Sequence, residues 1–213
     1  MAPSLLLASC AAGAAYTLTP GPGFIALLGI GAAQGRRAGA GFIFGHFAGD
    51  VLWSSLALLA IVGAHEIGPL VFDVLGLICG GYLAWLGAKA VRARRRAPDA
   101  PLAVVRRPLL RGMAFGLTNP KGYPVAVATF TALLAGHASE LGWAALPALL
   151  AAACVGFLSG DVILIGIAGA ERVRRLYARH EVWIVRASGV LFLGVAAAAV
   201  AGAFPGVRRA LTK

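Results

Sequence analysis

Two aspartates stand inside long apolar stretches and are the residues best suited to chemistry. Asp50 lies between Ala38 and Ala88, a segment with no lysine or arginine, and Asp161 lies in an apolar stretch of the second half. A charge at the centre of a bilayer costs about 2.5–3.5 kcal/mol, so such acids usually face a cavity or a partner. Each could hold a substrate ammonium group, carry a proton or fix a neighbouring helix. We predict that both bind substrate or couple protons.

Two proline-containing breaks accompany the aspartates. A proline removes an amide donor and clashes with the preceding helical turn, which frees carbonyl groups. The helix that follows presents its positive N-terminal end, so a break can hold both the ammonium and the carboxylate of a zwitterion. The alternatives are a packing kink without ligand contact and, for the lysine, a side chain that extends to the membrane interface. The predicted site residues at the breaks are Thr19, Pro20, Gly21 and Pro22 in the first stretch and Asn119, Pro120 and Lys121 in the fourth.

His46 lies one helical turn before Asp50 and shares its face. It could relay a proton or help bind a metal, but Phe157 stands at the matching place in the second half. We therefore favour a histidine satisfied inside the bundle. The three cysteines show no spacing typical of a zinc site, so we predict no metal and no cofactor.

The composition indicates an integral membrane protein. Of the 213 residues, 60% are apolar and 13% are charged, whereas a soluble domain carries about 25% charged residues. This balance excludes a soluble enzyme, a secreted disulfide scaffold and a disordered tail. The net charge of +11 could suggest nucleic acid, but the basic residues cluster between apolar stretches. The predicted environment is therefore the lipid bilayer, with no nucleic-acid partner.

Six apolar stretches are long enough to span a membrane as helices, for which about 20 residues are needed. Arginines occur in the connections after the first, third and fifth stretches, and the alternate connections hold none. Because positive loops stay inside, both termini are predicted to lie outside. The expected fold is an all-α protein with six transmembrane helices at roughly 4–33, 41–63, 70–91, 112–136, 143–169 and 183–204.

The two halves of the chain resemble each other. Gly41, Gly45 and Gly49 precede Asp50 at the same spacing at which Ala152, Gly156 and Gly160 precede Asp161. Each half also carries one proline break in its first stretch. Three spans are an odd number, so the second half must enter the membrane upside down, as in many transporters. We expect two inverted three-helix repeats at 1–91 and 112–213, joined by a basic cytoplasmic linker at 92–111.

The aspartates and the breaks are predicted to lie at one depth. A helix rises about 1.5 Å per residue, which places all four features roughly 14–21 Å from the nearest arginines. In a hydrocarbon core about 30 Å thick, that depth is near the middle. The sequence therefore predicts a polar site halfway through the membrane.

The motifs resemble those of the LysE/RhtB family of amino-acid exporters. The similar segments span nearly the whole chain; they are Thr19–Pro22, Gln34–Gly39, Gly49–Asp50, Gly81–Gly87 and Asn119–Lys121. The resemblance implies a six-span carrier of the bacterial inner membrane that exports amino acids and is driven by the proton gradient. The family usually has asparagine after Pro-Gly-Pro, where this chain has Gly23, so substrate preference does not carry over.

We predict a secondary transporter, not an enzyme, that exports an amino acid or a related amine-bearing metabolite. A cation or metal exporter is the alternative, although it would need more carboxylate, histidine or cysteine ligands. A membrane-embedded enzyme would need a nucleophile or metal motif such as HExxH, which the sequence lacks. A non-transporting scaffold would tolerate alanine at both aspartates. The glycine row before Asp50 is expected to pack inside the protomer, with a homodimer seam as the other possibility.

Overall fold

The computed structural model describes residues 2–19, 21–67, 69–94, 104–119 and 121–211. Within these ranges every regular element is a helix, which confirms the predicted all-α class. Two short 3₁₀ segments, Ala135–Glu140 and Trp143–Ala145, connect the sixth and seventh α-helices. The α-helices are α1 Pro3–Leu18, α2 Pro22–Gln34, α3 Arg36–Ile67, α4 Pro69–Val91, α5 Pro108–Leu117, α6 Gly122–Leu134, α7 Leu146–Gly169 and α8 Glu171–Leu211.

Two of the six predicted spans are broken helices rather than continuous ones. The stretch 4–33 covers nearly all of α1 and α2, and the stretch 112–136 covers the second half of α5 and all of α6. The prolines explain the break: Pro22 occupies the first turn of α2, and Thr19 ends α1 in an extended conformation. By length and composition, four of the described helical segments could cross a membrane alone: Arg36–Gly63, Asp73–Val91, Trp143–Gly169 and Arg179–Pro205.

Two predicted loops are shorter than expected. α8 begins at Glu171, so the arginine-rich connection before the last predicted span is already helical. α3 begins at Arg36, directly after Gly35. Gly35 has a φ of 82°, a left-handed conformation that favours glycine and allows the abrupt turn between α2 and α3.

The helices pack in pairs drawn from the two halves of the chain. α1 packs along α7, α3 packs along α5, and α4 packs along α8. If α1 to α4 are matched in order with α5 to α8, the counterpart of the α1–α7 pair is the α5–α3 pair. The α4–α8 pair is unchanged by the same exchange. The set of close pairs therefore has the correspondence that two related halves would produce.

Glycines allow the closest helix contacts. A Cβ on Gly45 or Gly49 of α3 would overlap the backbone of α5, and one on Gly112 or Gly116 of α5 would overlap the backbone of α3. Gly41 of the same row faces Pro108, at the start of α5. The glycine row before Asp50 thus packs inside the protomer, as predicted. Small residues permit this close approach of the backbones. In lipid, such packing, and not the exclusion of water, drives the association of helices.

The arginine-bearing junctions meet at one end of the bundle. The Gln34 side chain at the end of α2 exchanges two hydrogen bonds with the Val105 backbone, at 3.1 and 2.7 Å. The Arg36 side chain at the start of α3 lies against Gly169 at the end of α7. This end holds the residues for which the positive-inside rule predicts a cytoplasmic location.

The N-terminus and the connection between α6 and α7 lie together at the opposite end. The Ala2 amide donates a hydrogen bond of 3.0 Å to a carboxylate oxygen of Glu140. His137 also contacts this carboxylate, at 3.2 Å. The Ala2 amide and, secondarily, the His137 side chain lower the pKa of the Glu140 carboxyl, because both stabilise its charged form.

Glycines of α7 offer a direct test of this packing. A Cβ on Gly156 would overlap the Cys10 carbonyl and lie 2.7 Å from the Ala14 amide nitrogen, whereas one on Gly166 would meet nothing within 4 Å. We expect Gly156→Ala to lose about 1–3 kcal/mol of stability through overpacking. Gly166→Ala, on the same helix, should melt like the wild type. Thermal unfolding of the detergent-solubilised proteins measures both, and equal melting temperatures would contradict the α1–α7 contact.

Candidate functional site

A small polar cavity lies where the two breaks meet the aspartates. Its volume is about 20 Å³, enough for roughly one water molecule. Residues from α1, α2, α3 and α7 form it together with the segment that precedes α6. The lining residues are Tyr16, Thr17, Thr19, Gly23, Phe24, Ile43, His46, Asp50, Asn119, Lys121, Asp161 and Leu164.

Asp50 and His46 form a buried pair on α3. The His46 Nδ1 atom lies 3.1 and 3.2 Å from the two carboxylate oxygens of Asp50. Asp50 is 2% exposed. The helical spacing of four residues places both side chains on one face. Tyr16 of α1 lines the same cavity as this carboxylate. Asp50 is therefore paired with His46 on its own helix and faces a cavity that it shares with α1.

His46 also connects α3 to the second break. Its Nε2 atom lies 3.3 Å from the Asn119 side-chain amide nitrogen, so the imidazole bridges Asp50 and Asn119. With its Nδ1 proton directed at the carboxylate, Nε2 accepts a hydrogen bond from that amide. The ring packs against Phe115, at a centroid distance of 6.0 Å. A Cβ on Gly23 would lie 2.9 Å from Nε2, so the missing side chain at position 23 leaves room for the imidazole.

Lys121 joins the two breaks. Its ammonium group donates a hydrogen bond to the Thr19 carbonyl, a backbone oxygen at the first break. It also lies 5.6 Å from the centre of the Tyr16 ring, within cation–π range. Gly21 packs against the lysine side chain, because a Cβ there would lie 2.6 Å from Cδ. Lys121 is 7% exposed and points into the cavity, so the alternative in which it extends to the interface is wrong.

Asn119 shapes the start of α6. Its side-chain oxygen accepts a hydrogen bond of 3.2 Å from the Lys121 amide, and its carbonyl accepts one of 3.0 Å from the Gly122 amide. The side chain is buried. Asn119 thus fixes the second break while its side-chain amide contacts His46.

Asp161 brings a second carboxylate to the cavity from α7. It is 6% exposed and lines the same space as Asp50. The Thr17 hydroxyl, also in the lining, is buried without a protein hydrogen-bond partner. Phe157, the counterpart of His46 in the second half, packs edge-on against Tyr16 with ring centroids 5.7 Å apart. The polar groups of the two halves are therefore not equivalent.

The structure brings together most of the predicted site residues. Five of them line the cavity: Thr19, Asn119, Asp50, Lys121 and Asp161. Gly21 packs behind the lysine, and Pro22 lines a neighbouring cleft instead of the cavity. Pro20 and Pro120 lie outside the described residues.

Sequence reasoning did not select Tyr16 and Thr17 as site residues. Both lie within one helical turn of the first break, so their distance from Thr19 was the available signal. His46 is buried inside the bundle, as predicted, and it also lines the cavity.

The charges in the cavity do not balance when both acids are ionised. Lys121 can compensate one carboxylate, and the second then needs a proton or another cation because an unpaired charge in a low dielectric is costly. Within the described part of the chain, histidine, cysteine and acidic residues form no group of three that could hold a metal ion. The uncompensated carboxylate is suited to binding a proton or an organic ammonium group.

Comparisons with known proteins relate the chain to transport proteins. The profile of the family described as LysE type translocator matches residues 14–202. The threonine efflux protein of Escherichia coli K12 is 26% identical over 187 residues, which cover 83% of this chain and 88% of that protein. The leucine efflux protein of Klebsiella pneumoniae is 27% identical over 186 residues, which cover 84% and 87% respectively. No solved structure gives a significant match.

One further relative has a different name. The chemotactic transduction protein ChpE of Pseudomonas aeruginosa is 34% identical over 126 residues, which cover 55% of this chain and 59% of that protein. The threonine and leucine efflux proteins, by contrast, match over most of their length.

The charge arrangement predicts that Lys121 is needed for stability. We expect Lys121→Met to lose about 3–5 kcal/mol, because it removes the cation that compensates one of the two buried carboxylates. Adding Asp161→Asn to this variant should restore part of the loss. Exposed Lys89→Met is the matched control and should melt like the wild type. If Lys121→Met also unfolds at the wild-type temperature, Lys121 does not compensate these acids.

Proposed function

The chain belongs to the LysE type translocator family, and on this premise we propose that it exports an amino acid or a related amine-bearing metabolite. The relatives named as threonine and leucine efflux proteins support this substrate class. The helices long and apolar enough to cross a membrane support a multi-pass location, for which we propose the bacterial inner membrane. The arginine-rich end faces the cytoplasm, and both termini lie outside.

The excess of buried acid over buried base is the observation that carries the mechanism. Asp50 and Asp161 share one cavity with the ammonium group of Lys121, the one lysine or arginine among its described lining residues. The uncompensated carboxylate can be neutralised by a proton or by the ammonium group of a substrate. Because the two compete for one charge, the site can exchange an outgoing amine for an incoming proton. We propose this exchange as the basis of proton-driven export.

The substrate's carboxylate needs partners of the opposite sign. α2 and α6 both begin at the cavity, so their positive N-terminal ends and the backbone amides near Gly23 are directed toward it. The Lys121 ammonium adds a cation, and the Thr17 hydroxyl adds a hydrogen-bonding group without a protein partner. The cavity therefore offers groups for both ends of a zwitterion.

Alternating access requires the cavity to enlarge. At about 20 Å³ it cannot hold an amino acid, so the helices around it must separate for the substrate to enter or leave. The α1–α7 pair and the α5–α3 pair correspond to each other when the two halves are matched. This correspondence supports a division into two related halves at 1–91 and 112–213, joined by the linker 92–111. We propose that these inverted halves rock against each other around the cavity.

The two cavity aspartates provide the test of this function. We expect Asp50→Asn and Asp161→Asn each to reduce efflux of labelled threonine or leucine about tenfold or more, because the exchangeable charge is lost. Asp73→Asn, which changes an acid of α4 outside the cavity lining, is the matched control and should keep wild-type efflux. Efflux is measured from preloaded cells at equal membrane expression.

Two outcomes would contradict this proposal. If both cavity variants export at the wild-type rate while the wild type responds to the proton gradient, the acids do not carry the proton. If the wild type exports no amino acid but protects cells against metal ions, the cation exporter replaces the amino-acid exporter.

A further inference from the structure

A second and much larger cleft lies beside the polar cavity. It has a volume of about 830 Å³ and separates α2 and α5 on one side from α4 and α8 on the other. This volume is within the range of about 300–1,000 Å³ that small-molecule sites occupy. The cleft can therefore receive a molecule for which the 20 Å³ cavity has no room.

The inner end of the cleft borders the polar cavity. Pro22 lines the cleft, and Gly23, the next residue, lines the cavity. Phe115 also lines the cleft, and its ring lies 6.0 Å from the ring of His46, which lines the cavity. A single layer of residues separates the two spaces. A modest movement of α5 against α2 would join them.

The mouth of the cleft is positively charged. Lys89 and Arg92, at the C-terminal end of α4, both line the cleft, and none of its described lining residues is acidic. The Lys89 ammonium lies 5.3 Å from the centre of the Trp85 ring, which holds this cation at the edge of the cleft. The mouth therefore attracts an anionic group, and its walls accept an apolar one.

The charge pattern of the chain places this mouth on the cytoplasmic side. α4 ends at the basic linker, and Arg186 of α8 donates a hydrogen bond of 3.1 Å to the Ala93 carbonyl at the same end. Positively charged junctions of membrane proteins remain in the cytoplasm. A substrate for export must arrive from that side.

We propose that this cleft is the cytoplasmic entry site, in which Lys89 and Arg92 bind the α-carboxylate of the amino acid before it reaches the cavity. The inference rests on the proposed export function and adds a first binding site to it. The carboxylate stays at the basic mouth while the side chain lies on the apolar wall. Movement of Phe115 then admits the substrate's ammonium group to Asp50 and Asp161.

Transport from the cytoplasmic face tests the entry site. Inside-out vesicles accumulate substrates that the cell exports, so labelled threonine and leucine are supplied from outside the vesicle at varied concentration. We expect the double variant Lys89→Gln/Arg92→Gln to raise the KM about threefold to tenfold with an unchanged maximal rate, as the loss of two exposed ion pairs predicts. The charge-preserving double variant Lys89→Arg/Arg92→Lys should keep a KM near that of the wild type.

Arg94→Gln is the matched control, since Arg94 follows closely in the chain but does not line the cleft. Its KM should equal that of the wild type. If the double glutamine variant also has a wild-type KM while transport persists, the entry site is wrong and the export function stands. If wild-type vesicles transport no amino acid, the export function fails and this inference fails with it.

An anionic lipid is the rival occupant of a basic cleft with apolar walls. Vesicles of zwitterionic lipid alone and vesicles with added anionic lipid distinguish it. A rise in KM in both membranes supports a substrate carboxylate at Lys89 and Arg92. A fall in maximal rate confined to the anionic membrane, with KM unchanged, assigns the cleft to lipid and overturns the proposal.

Discussion

The buried ammonium group of Lys121 is the constraint on which the site depends. A lysine so far from water must find acceptors and opposite charge, because an unpaired charge in a low dielectric is expensive. The Thr19 carbonyl, freed by the first break, supplies the acceptor, and the carboxylates of Asp50 and Asp161 supply the charge. One cation thus links the two halves of the chain at their most irregular points. The same cation leaves one carboxylate over, and that excess gives the cavity its affinity for a proton or an amine.

Close helix packing is what brings these groups together. Glycines let α3 approach α5 and let α1 approach α7, so side chains from opposite halves reach a cavity of about 20 Å³. Gly23 leaves the space that the His46 ring occupies between Asp50 and Asn119. Backbone broken by proline would be costly in lipid, but here it borders a polar cavity, where its carbonyls and amides find partners. The breaks, the acids and the glycines are therefore parts of one arrangement.

Much of this arrangement could be predicted from the sequence, and the rest could not for physical reasons. The helical class and the placement of both aspartates and both breaks at one level follow from apolar length and from the rise per residue. Counting residues gives depth but not direction around the helix axis, so it could not decide whether Lys121 points inward or toward the interface. Tyr16 and Thr17 were not selected from the sequence, because an uncharged side chain inside an apolar stretch does not require a charged partner as an aspartate does. The helical start of α8 was missed because its charged first turns look like a loop.

The claim that a proton and an amine compete for one carboxylate is tested most directly by counting protons. Purified protein in weakly buffered detergent solution is mixed with threonine or leucine, and the pH change is followed with a dye while binding is measured in parallel. The account predicts the release of about one proton for each amino acid bound, and no release when Asp50 and Asp161 are both asparagine. Tight binding of the amino acid without any proton release by the unaltered protein would contradict it.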